Sequence, residues 1–93
     1  MIISFADSDT EALAAGRKVV RFHAFERVAQ RKLSQLSDAS NLEDLRLPPG
    51  NHLEVLRGSR AGQHSIRIND RWRVCFTWTT FGAADVEIVD YHR

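Results

Sequence analysis

The sequence predicts an α+β fold, with two N-terminal helices packed on one face of a mainly antiparallel, twisted sheet, in a single domain over residues 1–93. Three observations carry this. Apolar residues from Phe22 to Leu36 recur at three-and-four spacing, which marks the buried stripe of a helix. After the breaker LPPGN at 47–51 the apolar period becomes two, which marks strands. The 93 residues are 43% hydrophobic and 27% charged, enough for one core and short of two, with no repeat or linker to divide them.

Ile2, Ile3 and Phe5 suggest a short first strand. Asp7 or Ser8 then caps a short helix that runs through Leu13 and stops at Gly16. The longer helix starts at Phe22, buries Phe22, Phe25, Val28, Ala29, Leu33 and Leu36, and ends near Ser37. Asn41 to Asp44 forms one capped turn. His52 to Leu56 alternates as a strand, with Leu53 and Val55 on one side and His52, Glu54 and Leu56 on the other. GSRAG at 58–62 is a glycine-flanked turn. Ile66 and Ile68, then Trp72, Val74, Phe76 and Trp78, form one apolar face of two strands. Val86 to Val89 is a β-branched strand near the C-terminus.

The link between the two central strands follows from side-chain matching. A two-residue loop would set Ile68 against Arg71 on the core side. A three-residue loop, Asn69-Asp70-Arg71, sets Ile68 against Trp72 and Ile66 against Val74. That register also places Arg67 opposite Arg73 on an uncovered face, joined by Glu54 if its strand belongs to the same sheet. Like charges directly opposite destabilise a sheet. An anion seated between the two arginines would explain the pair.

Composition excludes several classes. One cysteine, Cys75, leaves no internal disulfide, and no Cys/His spacing suggests a metal site. MIISFADSDTE has no basic region followed by an apolar run, and nothing approaches the roughly 18 apolar residues of a membrane span, so a soluble, cytoplasmic protein is expected. Net charge is only +1, but the cations are clustered. Arg17, Lys18, Arg21, Arg27, Arg31 and Lys32 face Glu26 alone within residues 17–32, and Arg57, Arg60, Arg67, Arg71 and Arg73 face Asp70 alone within 57–73. The first cluster reads as a polyanion-binding face or as a solvated helix face; the second, all arginine, suits bidentate phosphate recognition.

Arginines on a sheet face, a nearby carboxylate and the terminal Asp90-Tyr91-His92 are the parts of metal-independent RNA cleavage. A base takes the ribose 2′-OH proton, the oxyanion attacks phosphorus, arginine stabilises the phosphoryl charge, and an acid protonates the leaving 5′-oxygen. Glu54 suits the base, His92 either proton role, and Tyr91 a stacking or phosphate contact. Each has a plainer reading: Glu54 as a solvated strand residue, His92 as a surface histidine, Tyr91 as cover for the sheet edge, and Asp90 as an arginine partner. Arg73 and Arg67 would equally serve as partners for Glu87 or Asp85. His23, His52 and His64 show no metal-pocket spacing, and Cys75 has no evident activating partner.

At LEVLRGSRAGQHSIRINDRWRVCF followed by DVEIVDYH, the sequence resembles the HigB-like branch of the RelE toxin superfamily, small bacterial toxins encoded beside an antitoxin. The resemblance runs from IISFAD through NLEDLRLPPGN to the final DYH and is most specific from Leu53 to Phe76. It implies a RelE-like fold and a ribosome-dependent mRNA endonuclease that needs no cofactor. It also implies a HigA-like helix-turn-helix antitoxin and operator DNA bound through that antitoxin. Arg73 in WRVCF falls where the family places its phosphate-stabilising arginine, and Asp90, Tyr91 and His92 match a terminal trio implicated in cleavage. Arg57 and Arg60 match basic loop positions expected to grip ribosomal RNA, and Arg67 extends that basic surface. His64 stands where relatives often carry Tyr or Trp, a position for stacking on RNA. One departure is Glu54 in LEVLRG, where many relatives read LHPLKG with a catalytic histidine. A carboxylate can act as base but titrates further from neutrality, so slower cleavage is expected. A ParE-like inhibitor of a topoisomerase and a weakened toxin acting mainly as co-repressor are the alternatives.

Overall fold

The protein is described here by a computed structural model covering residues 1–91. Two α-helices, α1 (Ser8–Ala14) and α2 (Glu26–Asp38), pack on a four-stranded sheet of β1 (Glu54–Val55), β2 (His64–Arg67), β3 (Trp72–Thr79) and β4 (Gly82–Asp90). Strand order is β1-β2-β3-β4, every neighbour antiparallel. The residues expected to form a first strand instead pair at two isolated points, Ile2 with Ala83 and Phe5 with Val86, parallel to β4. The architecture is the expected α+β, RelE-like one.

Local chemistry explains the helices. Asp9 and Glu11 in the first turn of α1 complement its dipole. The helix closes at Gly16, φ +86°, where Gly16 N–H donates to the Leu13 carbonyl and Arg17 N–H to that of Ala12. This paired return satisfies two orphan carbonyls and needs a residue that tolerates positive φ. The longer helix starts later than its apolar spacing suggests. Residues Val20–Phe25 form a 3₁₀ helix, and α2 begins at Glu26. Spacing of three, as between Phe22 and Phe25, suits either winding. Asn41 and Asp44 cap the 3₁₀ turn Leu42–Arg46 reciprocally, as expected.

Leu13, Phe22, Ala29, Leu33 and Leu36 bury their side chains against Ile66, Ile68, Val74, Phe76, Val86 and Ile88. Phe22, Phe25 and Trp72 form an aromatic cluster with centroids 4.8–5.8 Å apart. Each large apolar side chain buried here contributes about 1.5–3 kcal/mol relative to exposure. Thr10 Oγ1, fully buried, accepts from Ile88 N–H at 3.0 Å and ties α1 to β4.

The three-residue link is observed: Ile66 lies opposite Val74, Arg67 opposite Arg73, and Ile68 N–H donates to the Trp72 carbonyl. Asn69 Oδ1 accepts from the N–H groups of both Arg71 and Trp72 at 2.9 Å, which holds the turn.

Two further expectations fail. The strand over 52–56 shrinks to Glu54–Val55, because His52 adopts a left-handed conformation, φ 43°, at the end of the 3₁₀ turn Pro49–Asn51. Its sides also separate: Leu53 packs against the core, Val55 is 65% exposed and Leu56 is buried. The sheet face away from the helices is not bare either, since Ser65 and Cys75 are fully buried and Arg73 is 8% exposed.

Gly82 permits the outermost pairing. Its φ is +134°, and a Cβ there would stand 2.2 Å from the Met1 carbonyl oxygen, which accepts from Ala83 N–H at 2.9 Å. Gly82→Ala is expected to cost about 1–3 kcal/mol and to speed amide exchange at Ile3 and Ala83 before the core, as urea denaturation and hydrogen exchange would read.

Candidate active site

On the sheet face away from the helices, the hairpin register sets Ser65, Arg67, Arg73 and Cys75 side by side, with Glu54 opposite Ser65 and Glu87 opposite Cys75. Arg73 is the centre. Its Nε donates to Ser65 Oγ at 2.6 Å, and its Nη2 donates to the carbonyls of His52 and Ser65. Its Nη1 edge faces Glu54 Oε1 at 3.7 Å. Burial lowers the Arg73 pKa, a shift opposed first by the charge of Glu54 and reinforced by Arg67. The guanidinium stays charged at any physiological pH. The site is therefore a fixed cation with a carboxylate beside its Nη1 edge.

The facing arginines need no external anion to coexist. Arg67 is paired with Asp70, and Arg73 is held by carbonyls and Glu54. The plainer reading that Arg67 or Arg73 pairs with Glu87 or Asp85 is also replaced, because Glu87 Oε1 accepts from Arg60 at 3.3 Å.

The remaining expected residues separate. Tyr91 N–H donates to the Arg71 carbonyl at 2.6 Å, extending the ladder. Asp90 lies opposite Trp72, so its side chain leaves the sheet on the other side from Arg73. There it takes a two-pronged ion pair from Arg71, at 2.5 and 3.3 Å, that raises the Arg71 pKa. Neighbouring strand residues point to opposite faces, so Asp90 and Tyr91 do not converge on one group. His92 lies outside the described residues. His64 shares the helix-side face with Phe76, its ring stacked on that of Phe76 with centroids 6.3 Å apart, and not with the arginines. Arg57 is exposed, while Arg60 is half-buried and engaged by Gln63 and Glu87.

The first basic cluster divides as well. Arg21 pairs with Asp7 and Asp9 and lies over the Phe22 ring. Arg17, Lys18, Arg27 and Arg31 are exposed, and Lys32 is buried. Sequence reasoning missed Ser65 and the His52 carbonyl as holders of Arg73. Ser65 was findable, because it stands two residues from Arg67 on the same face and thus diagonally from Arg73. The backbone carbonyl left no signal in the pattern.

A buried arginine held beside a carboxylate thus lies on the far face of a small RelE-like α+β sheet. Residues 7–92 match the HigB-like toxin family, described as the RelE-like toxin of type II toxin-antitoxin system HigB, and the chain belongs to that family. It is 43% identical over 63 residues to Toxin HigB-1 of Vibrio cholerae serotype O1, and 40% identical over 52 residues to an uncharacterised protein of Haemophilus influenzae. These alignments cover 68% and 56% of this chain, and 65% and 52% of the respective relatives. Among the described residues no helix is long and apolar enough to cross a membrane.

Cys75 lies beside Arg73 but is chemically quiet. Burial pushes its thiol up to about 11, against the pull of Arg60, with Glu87 adding to the rise. The folded pKa exceeds the ordinary 9.0, so the native state keeps a proton that the unfolded chain releases. That stabilisation is complete below about pH 9 and is lost as pH rises towards 11. At pH 8 iodoacetamide should alkylate the native protein about 10²-fold more slowly than the urea-unfolded chain from ionisation alone, and stability to urea should fall less between pH 9 and 11 in Cys75→Ala.

Proposed function

We propose that this HigB-like chain is a metal-independent endoribonuclease that cleaves mRNA on the ribosome and is silenced by a helix-turn-helix antitoxin. The observation that carries the reading is the anchoring of Arg73. Fixed acceptors hold its Nε and Nη2 sides, and the Nη1 edge is directed to Glu54. A preorganised cation of this kind stabilises charge that develops during a reaction without having to reorganise.

In the proposed reaction Glu54 accepts the ribose 2′-OH proton, and the 2′-oxygen attacks the adjacent phosphorus. Arg73 Nη1 stabilises the negative charge gathering on the phosphoryl oxygens. The bond from phosphorus to the 5′-oxygen breaks, and His92 donates the proton that the leaving oxygen takes up. The products are a 2′,3′-cyclic phosphate and a 5′-hydroxyl. Tyr91, on the Arg73 side of the sheet, orients the scissile phosphate or stacks on a base. Asp90 acts at one remove, by fixing Arg71 and the end of β4. Arg57 and Arg67 supply the long-range attraction that draws in RNA, while Arg60 chiefly braces Glu87. The antitoxin would carry the complex to operator DNA.

Induction in cells with mapping of 5′ ends on translated transcripts tests the reading, and new ends inside coding regions are expected. Arg73→Ala should lower cleavage about 10²–10³-fold and Glu54→Gln about 10²–10⁴-fold, each in a protein that still folds. His92→Ala should relieve growth arrest likewise. A folded Arg73→Ala protein that remained fully toxic would overturn the site, and intact transcripts with damaged DNA would transfer the reading to a topoisomerase inhibitor.

A further inference from the structure

Helix α2 carries a lysine in an unusual place. Lys32 is buried between Arg31 and Leu33 in sequence, and desolvation first, then the charges of Arg31 and Arg67, lower its pKa. Burying an ammonium is costly, and a methionine would fill similar space without that cost. The ammonium has a specific partner: Nζ donates to Asn51 Oδ1 at 2.5 Å. Asn51 is itself fully buried, and its Nδ2 donates to the carbonyls of Leu45 and Leu47 at 3.1 and 3.2 Å and to Gln35 Oε1 at 3.2 Å. One side chain thereby fastens the irregular stretch from Leu45 to Asn51 onto α2.

The next residue in the chain is His52, in its left-handed conformation, and the His52 carbonyl accepts from Arg73 Nη2. The orientation of that carbonyl depends on the peptide that follows Asn51. A continuous path of fixed contacts thus runs from Lys32 through Asn51 and the His52 backbone to the guanidinium. We propose that Lys32 and Asn51 are positioning residues for Arg73, holding the His52 carbonyl where it fixes the guanidinium. This rests on the reading that Arg73 stabilises the reacting phosphate, and it assigns helix α2, on the opposite face of the sheet, a part in that site.

The test pairs a structural readout with a kinetic one. By NMR, the Arg73 Nε–H signal, protected by Ser65 Oγ in the wild type, should shift and exchange at least about tenfold faster in Lys32→Met, with core amides such as Ile66 unchanged. On ribosome-bound mRNA, Lys32→Met should lower kcat by up to about 10²-fold with KM near the wild-type value. Lys32→Arg, which restores a donor to Asn51, should recover most of that loss. In an Arg73→Ala background Lys32→Met should cost nothing further. If Lys32→Met does not fold, Lys32→Gln, whose amide ends one atom short, makes the same comparison. An unmoved Nε–H signal in a folded variant overturns the proposal. So does a loss of kcat that persists in full without Arg73, because that marks a general structural role. If the signal responds while wild type and Arg73→Ala cleave alike, the positioning stands and the catalytic reading of Arg73 is what fails.

Discussion

A guanidinium stays still on a β-sheet only when its donors meet acceptors that cannot move, and this condition organises the far side of this protein. Arg73 meets Ser65 Oγ because β2 and β3 are joined by three residues, which places Ser65 diagonally across from it. That length holds because Asn69 occupies two consecutive N–H groups of the turn with a single side-chain oxygen. A slip of β2 by one residue would turn Ile66 and Ile68 out of the core and Ser65 and Arg67 into it. Core packing and site geometry are therefore enforced by the same register.

The electrostatics of that surface follow from local pairing. Arg67 with Asp70, Arg60 with Glu87 and Arg71 with Asp90 are each at least partly exposed, where such pairs contribute little stability. Arg73 differs because it is buried, and an attraction of this kind strengthens as solvent is excluded. Among the described residues its carboxylate partner is Glu54, at 3.7 Å, longer than a hydrogen bond. The looser neighbours can exchange partners with solvent, whereas Arg73 is held in place.

Much of this was legible in the sequence, and the reasons are particular. Ile66, Ile68, Trp72 and Val74 fixed the hairpin because only one loop length sets apolar residues opposite each other. The Phe22-to-Leu36 stripe located the longer helix, although it could not separate 3₁₀ from α winding at Phe22 and Phe25. The reading of His52 to Leu56 as a full strand failed because alternation does not register a left-handed residue at its start. Val55 faces solvent for a related reason, since a two-residue strand at the edge has nothing packed over it. The facing arginines were read correctly in register, but their protein partners went unseen, because groups such as the His52 carbonyl come from loops that carry no period. Asp90 and Tyr91 were grouped by adjacency, although strand geometry separates them.

The brevity of β1 has an effect beyond the site. A sheet ends safely when its last strand offers too few unpaired groups to recruit another chain. Here that strand is Glu54–Val55, bounded by the left-handed His52 and by the turn at Gly58–Arg60. Neighbouring copies thus find almost no straight backbone on which to add a strand, despite the exposed valine. The kinked segment that presents a carbonyl to Arg73 also guards against aggregation.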